Sequence, residues 1–85
     1  MPRRELGRSD EAAQFHRLAV LIHRELGDQW ALAISLANLA TALQDTGEPD
    51  DARSYWREAM AALADFDDPR AARMRARLSA RLSAR

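Results

Sequence analysis

At 85 residues, with no cysteine, 47% hydrophobic and 31% charged side chains and a formal net charge of +0, the chain has the size and composition of one soluble globular domain. Disulfides, a thiolate nucleophile and a cysteine-based zinc site are excluded, which fits a reducing, cytoplasmic setting. All thirteen basic residues are arginine, a bias we read as a GC-rich bacterial genome and not as chemistry.

Met1–Arg8 carries three arginines and leads into Ser9-Asp10-Glu11 instead of an apolar run, so no secretory signal is expected. It reads as a short N-terminal extension, 1–8, with Ser9 as the N-cap of a first helix over 9–26. That helix carries Phe15, Leu18, Leu21, Ile22 and Leu26, enough apolar surface for more than one face. Gly27 and Asp28 end it and start the next, because glycine supplies a left-handed cap and aspartate accepts from orphan amides.

The second helix, 29–46, has no charge before Asp45 and spreads Trp30, Ile34, Leu36, Leu39, Ala40 and Leu43 over several faces, so it is predicted to be central and buried on most sides. Its least charged stretch, 29–44, is shorter than the roughly 20 residues of a membrane span and contains Ser35, Asn38 and Thr41. Thr46-Gly47-Glu48-Pro49 opens a third helix, 49–65. Asp67-Asp68-Pro69 opens a fourth, 69–83, with an Ala71, Met74, Leu78, Leu82 stripe. Proline in a first turn lacks only an N–H that has no intrahelical partner there. The short connections force consecutive helices antiparallel. The predicted fold is all-α, four helices without a sheet.

Charge is unevenly distributed. Asp45–Asp68 holds eight acids against Arg53 and Arg57, whereas Pro69 onward holds six arginines and no acid. This predicts either an internal match between neighbouring helices or a steering surface for a partner.

A shift of 40 residues aligns the first part with the second. Leu6-Gly7 falls on Thr46-Gly47, Glu11-Ala12 on Asp51-Ala52, Phe15-His16 on Tyr55-Trp56, Ala19 on Ala59, Leu26 on Phe66 and Asp28 on Asp68. The repeating unit is a helix pair. Asn38-Leu39-Ala40, Leu43, Gly47, Ala52, Trp56 and Ala59 resemble the small, aromatic and leucine signature of the tetratricopeptide repeat family, best over Ala33–Phe66, about one repeat. The 40-residue spacing is similar to the variant of bacterial regulators and kinesin-light-chain-type arrays. Ala40, Leu43 and Pro49 depart from the family's frequent glycine, tyrosine and aromatic without breaking its packing logic. The resemblance implies an array of helical hairpins with a concave face lined by the first helix of each pair. It also implies that the chain starts on an unpaired second helix and ends, over 69–85, on an arginine-rich cap helix.

On that concave face the second helix offers Ile34, Ala37, Asn38, Thr41 and Gln44, spaced by three and four. The resemblance gives Asn38 the role of hydrogen-bonding an extended peptide's backbone, since an amide donates and accepts at once. The plainer reading is a solvent-facing asparagine. Because this helix adds no basic residue to the face, a groove gripping a C-terminal carboxylate is not expected. His16 and His23 stand seven apart, about 10 Å along the axis, and packing explains both better than a shared zinc. The serines lack a nucleophile elbow, base and acid, no loop cradles phosphate, and Asp65, Asp67 and Asp68 lack calcium-loop spacing. No catalytic residue, metal or cofactor is expected.

The resulting expectation is a protein-interaction module, free-standing or part of a bacterial regulator, that binds a peptide or protein surface. A self-assembling homo-oligomer unit is the first alternative. Nucleic-acid binding through the arginine-rich last helix is the second, weakened because 69–85 has no aromatic, Asn or Gln to read bases. The missing leading helix leaves Phe15, Leu18 and Ile22 without cover, so a homodimer through these residues is expected. A fold-back of Met1–Arg8 with Leu6 as a partial lid is the competing arrangement.

Overall fold

The computed structural model describes the backbone of residues 2–83 and the side chains of residues 10–83. Four helices follow one another: α1 (Pro2–Leu26), α2 (Gln29–Asp45), α3 (Pro49–Leu63) and α4 (Pro69–Ser83). No strand occurs among the described residues.

The junctions are built from the punctuation residues. Gly27 and Gly47 take φ of 71° and 83°, the left-handed region that glycine enters without a Cβ penalty. The amides that follow them, Asp28 and Glu48, donate back to His23 O at 3.1 Å and Leu43 O at 2.8 Å, closing carbonyls that the helix ends leave open. Asp28 Oδ1 accepts from the Ala31 amide at 3.1 Å and Asp68 Oδ1 from the Ala71 amide at 2.8 Å, so each carboxylate caps the helix that follows it.

The start of α1 corrects the sequence reading. The helix begins at Pro2, not Ser9, and its backbone runs through residues 2–8. Proline suits a first turn, Arg3–Leu6 are good helix formers, and the lone Gly7 costs only about 1 kcal/mol relative to alanine. Ser9 therefore lies inside the helix and is not its cap. The Leu6 side chain, and residues 84 and 85 of the cap segment, lie outside the described residues.

Two layers result. α1 and α3 lie side by side, joined by the Arg24–Glu58 ion pair at 2.9 Å, and α2 and α4 form the other layer, meeting across a shared groove. α2 packs against both α1 and α3 and buries Leu32, Ala33, Leu36, Leu39, Ala40, Ala42 and Leu43. Trp30 sits half-buried and Ile34 exposed, because one strip of α2 faces the open groove. α3 answers with Ala52, Trp56, Ala59 and Leu63, spaced along one face. α4 adds Ala71 and Leu78, with Met74 and Leu82 partly buried against the core.

Of the two readings of the charge asymmetry, the internal match of acids and arginines finds no support among the described residues. Among the described residues no ion pair joins an α4 arginine to a carboxylate; the described pair is Arg24–Glu58. Arg75 Nη1 instead donates to Leu63 O at 2.7 Å and Phe66 O at 2.6 Å, closing the end of α3 and fastening α4 to it. Trp30 takes the Phe66 ring edge-on at 5.4 Å and the Arg70 guanidinium over its face at 4.9 Å. These contacts tie the α3–α4 connection to the start of α2.

Leu39→Ala and Trp56→Ala should each destabilise the fold by roughly 2–5 kcal/mol in urea unfolding, and a loss below about half a kilocalorie per mole in either would show that the packing register is wrong. Arg75→Met leaves two carbonyls without a charged donor. It should cost about 1.5–3 kcal/mol, whereas Arg73→Met, at an exposed position, should stay within about 0.5 kcal/mol.

Candidate functional site

The 40-residue repeat sets α2 and α4 side by side and parallel, so Trp30 meets Arg70 and the next turns of each helix face one another. Between them lies an open groove of about 170 Å³. Ile34, Ala37, Asn38 and Thr41 form the α2 wall; Met74, Arg77, Leu78 and Arg81 form the α4 wall. Four of the five concave-face residues read from the sequence thus line one groove. Gln44 is exposed and does not line it.

The polar groups differ in what they offer. Thr41 Oγ1 donates to Ala37 O at 3.0 Å, so its proton is committed and its oxygen can only accept. The Asn38 side chain is exposed and makes no hydrogen bond among the described residues, so its amide presents both a donor and an acceptor. Arg77 and Arg81 are exposed on the opposite wall, with the Arg81 guanidinium 5.5 Å from the Trp56 ring centroid.

The two arginines set cations opposite a helix face that carries none. α2 has no cation on this face, but α4 supplies two. Carrying the 40-residue offset on into the last helix sets Thr41 beside Arg81 and Ile34 beside Met74, and that was the available signal.

A second surface lies on α1. Phe15, Leu18, Ile22 and Leu26 recur along one side of the helix and are 55–73% exposed. Their cause is visible in the repeat. Ala52, Trp56, Ala59 and Leu63 of α3 are buried between α2 and α4, while their α1 counterparts Ala12, His16, Ala19 and His23 are only half-buried, since α1 has α2 on one flank and no described helix on the other. Leu21 sits apart, in a shallow crevice with Arg17, Val20, Arg24, Leu39 and Tyr55. The ion pair beside it is about half exposed and is worth no more than about 1 kcal/mol.

His16 and His23 occupy these half-buried packing positions, and no group of three His, Cys, Asp or Glu is gathered to hold a metal ion among the described residues. No helix of the described residues is long and apolar enough to cross a membrane.

A family model described as Tetratricopeptide repeat covers residues 3–65, which takes in α1, α2 and α3 and stops short of α4. No curated protein and no solved structure matches.

Proposed function

The chain belongs to the tetratricopeptide repeat family, a non-catalytic helical scaffold associated with protein–protein interaction, and on that premise we propose that it binds an extended peptide in the groove between α2 and α4. The observation that carries this reading is the exposed Asn38 amide, without a partner among the described residues, standing between Ile34 and Thr41 on the α2 wall of the groove. An extended chain exposes one N–H and one C=O per residue, and a primary amide can engage both. Ile34, Ala37 and Met74 supply apolar contact beside it.

A second reading concerns association between copies through α1, with Phe15, Leu18 and Ile22 at its centre. Exposed apolar side chains at four positions on one helix face make an unusual stripe for a monomer. Full burial of one such side chain is worth about 1.5–3 kcal/mol. Four from each copy offset an association cost of about 4–15 kcal/mol. Head-to-tail stacking of α1 on another copy's α4 is opposed by the sequence. Where α2 packs Leu32, Leu36, Leu39 and Leu43, the matching positions of α4 are Ala72, Ala76, Ser79 and Ser83. The remaining self-complementary arrangement is a symmetric homodimer, α1 against α1.

A peptide-library selection against the full chain tests the groove. Selected peptides should bind at least tenfold more weakly to an Asn38→Ala, Thr41→Ala variant of unchanged helicity; peptides indifferent to that variant would place the site elsewhere. Sedimentation equilibrium at micromolar concentration tests the second surface. A dimer mass that Leu18→Glu converts to monomer is expected, and a monomer mass for the unaltered chain throughout the range rejects it.

A further inference from the structure

We propose that the crevice in the α1–α3 layer, away from the α2–α4 groove, docks a partner segment that carries one large apolar side chain and, two residues from it, an acid. The inference stands apart from the groove reading. Leu21 raises it. That side chain is 58% exposed, and the uncovered flank of α1 does not account for it, because Leu21 lies about 100° round the helix from Ile22, on the side of the crevice. Nor does the repeat require it, since a shift of 40 residues sets Leu21 on Ala61 and Arg24 on Ala64. Both positions carry large side chains where the next helix of the same kind manages with a methyl group.

The crevice combines an apolar lining with an unspent cation. Val20 and Leu39, both buried, Leu21 and the half-buried Tyr55 supply the lining. Its volume is about 210 Å³, below the roughly 300–1,000 Å³ of small-molecule sites, which suits one side chain better than a cofactor. Arg17 and Arg24 also line it, seven residues and so about 10 Å apart along the axis. Arg24 is held by Glu58 at 2.9 Å, so a carboxylate brought to that end would meet another. Arg17 has no carboxylate within ion-pair distance among the described residues, and the Tyr55 hydroxyl has no hydrogen-bond partner among them.

Charge complementarity then orients the occupant. Arg17 and Leu21 are four residues apart, with bases about 6 Å apart along the axis. Side chains two residues apart in an extended chain project on one side, about 6.6–6.8 Å apart. A segment lying along the crevice therefore sets its apolar side chain beside Leu21 and its acid against Arg17, where the guanidinium gives a charge-assisted hydrogen bond. The Tyr55 hydroxyl is left to donate to a backbone carbonyl of the segment. The Arg24–Glu58 pair closes the other end to an ion and fixes which way the segment runs.

The test uses the full, isotope-labelled chain in NMR titrations with two tripeptides, Glu-Ala-Leu and Leu-Ala-Glu, acetylated and amidated so that no terminal charge contributes. Each is run beside a version with glutamine for the acid and a version with alanine for the leucine. One of the two orders should saturably shift the backbone amide signals of residues 17–24 and Tyr55 and leave those of Ile34, Asn38 and Thr41 in place. It should bind about fivefold tighter than its glutamine version, the upper end for an exposed ion pair, and tighter still than its alanine version. Arg17→Gln should remove the advantage over glutamine, and Leu21→Ser should weaken acid and glutamine peptides alike, with helicity unchanged in both variants. Equal binding of all versions, an acid preference that survives Arg17→Gln, shifts confined to the groove residues, or no binding in either order would overturn the inference. Crevice signals that move on dilution of the chain alone and ignore every peptide would give the site to a second copy and overturn it as well.

Discussion

The architecture depends on how closely the helices approach, and five alanines set that distance. Ala33 and Ala40 on α2, Ala52 and Ala59 on α3 and Ala71 on α4 each have 0% exposure. A methyl group at a crossing lets two helix axes close towards the short end of the usual 8–10 Å range, where larger side chains hold them apart. Leu36, Leu39, Leu43 and Leu63, all fully buried, then fill the space around the contacts. Ala52 and Ala59 repeat Ala12 and Ala19 of α1 at the 40-residue offset, and α4, packed on α3, comes to lie beside α2, so the groove exists as a by-product of that packing.

Much of this was legible in the sequence. Gly27, Asp28, Gly47, Pro49, Asp68 and Pro69 act through local backbone chemistry, so three of the four helices begin and end within two residues of where those residues place them. α1 was misplaced at its start because Gly7 and Ser9 look like punctuation, yet a single glycine costs too little to end a helix. Asn38 and its neighbours could be assigned to a face because helical period alone fixes which residues share a side. The basic wall could not be assigned from α2 alone. It belongs to another helix, and only the packing of α4 against α3 brings it opposite Asn38. The acidic stretch and the arginine helix attract one another on paper, but exposed charges gain little from pairing, and the arginines found carbonyls and indole rings instead.

The α4 arginines illustrate how one residue type serves several ends in a short helix. Arg75 closes the end of α3, Arg70 and Arg81 lie on tryptophans, and Arg77 faces the groove with no partner among the described residues. A planar guanidinium with five donors can satisfy carbonyls, stack, or hold an anion, where a lysine ammonium would do only part of this. The outer flank of the same helix carries Ala72, Ala76, Ser79 and Ser83. It therefore ends the apolar core in water without a large exposed patch, in contrast to α1 at the other end.

One wall of the groove belongs to the least supported helix. α4 packs mainly on α3, so its detachment is a local opening that leaves the α1–α3 unit in place. A ligand that spans both walls, as proposed for the groove, would bind only the docked form, and its apparent affinity would be reduced by whatever fraction of molecules have α4 released. Arg75, which is not among the groove-lining residues, would thereby enter the affinity through linkage: the two carbonyls it holds help to set the docking equilibrium on which such a ligand would draw.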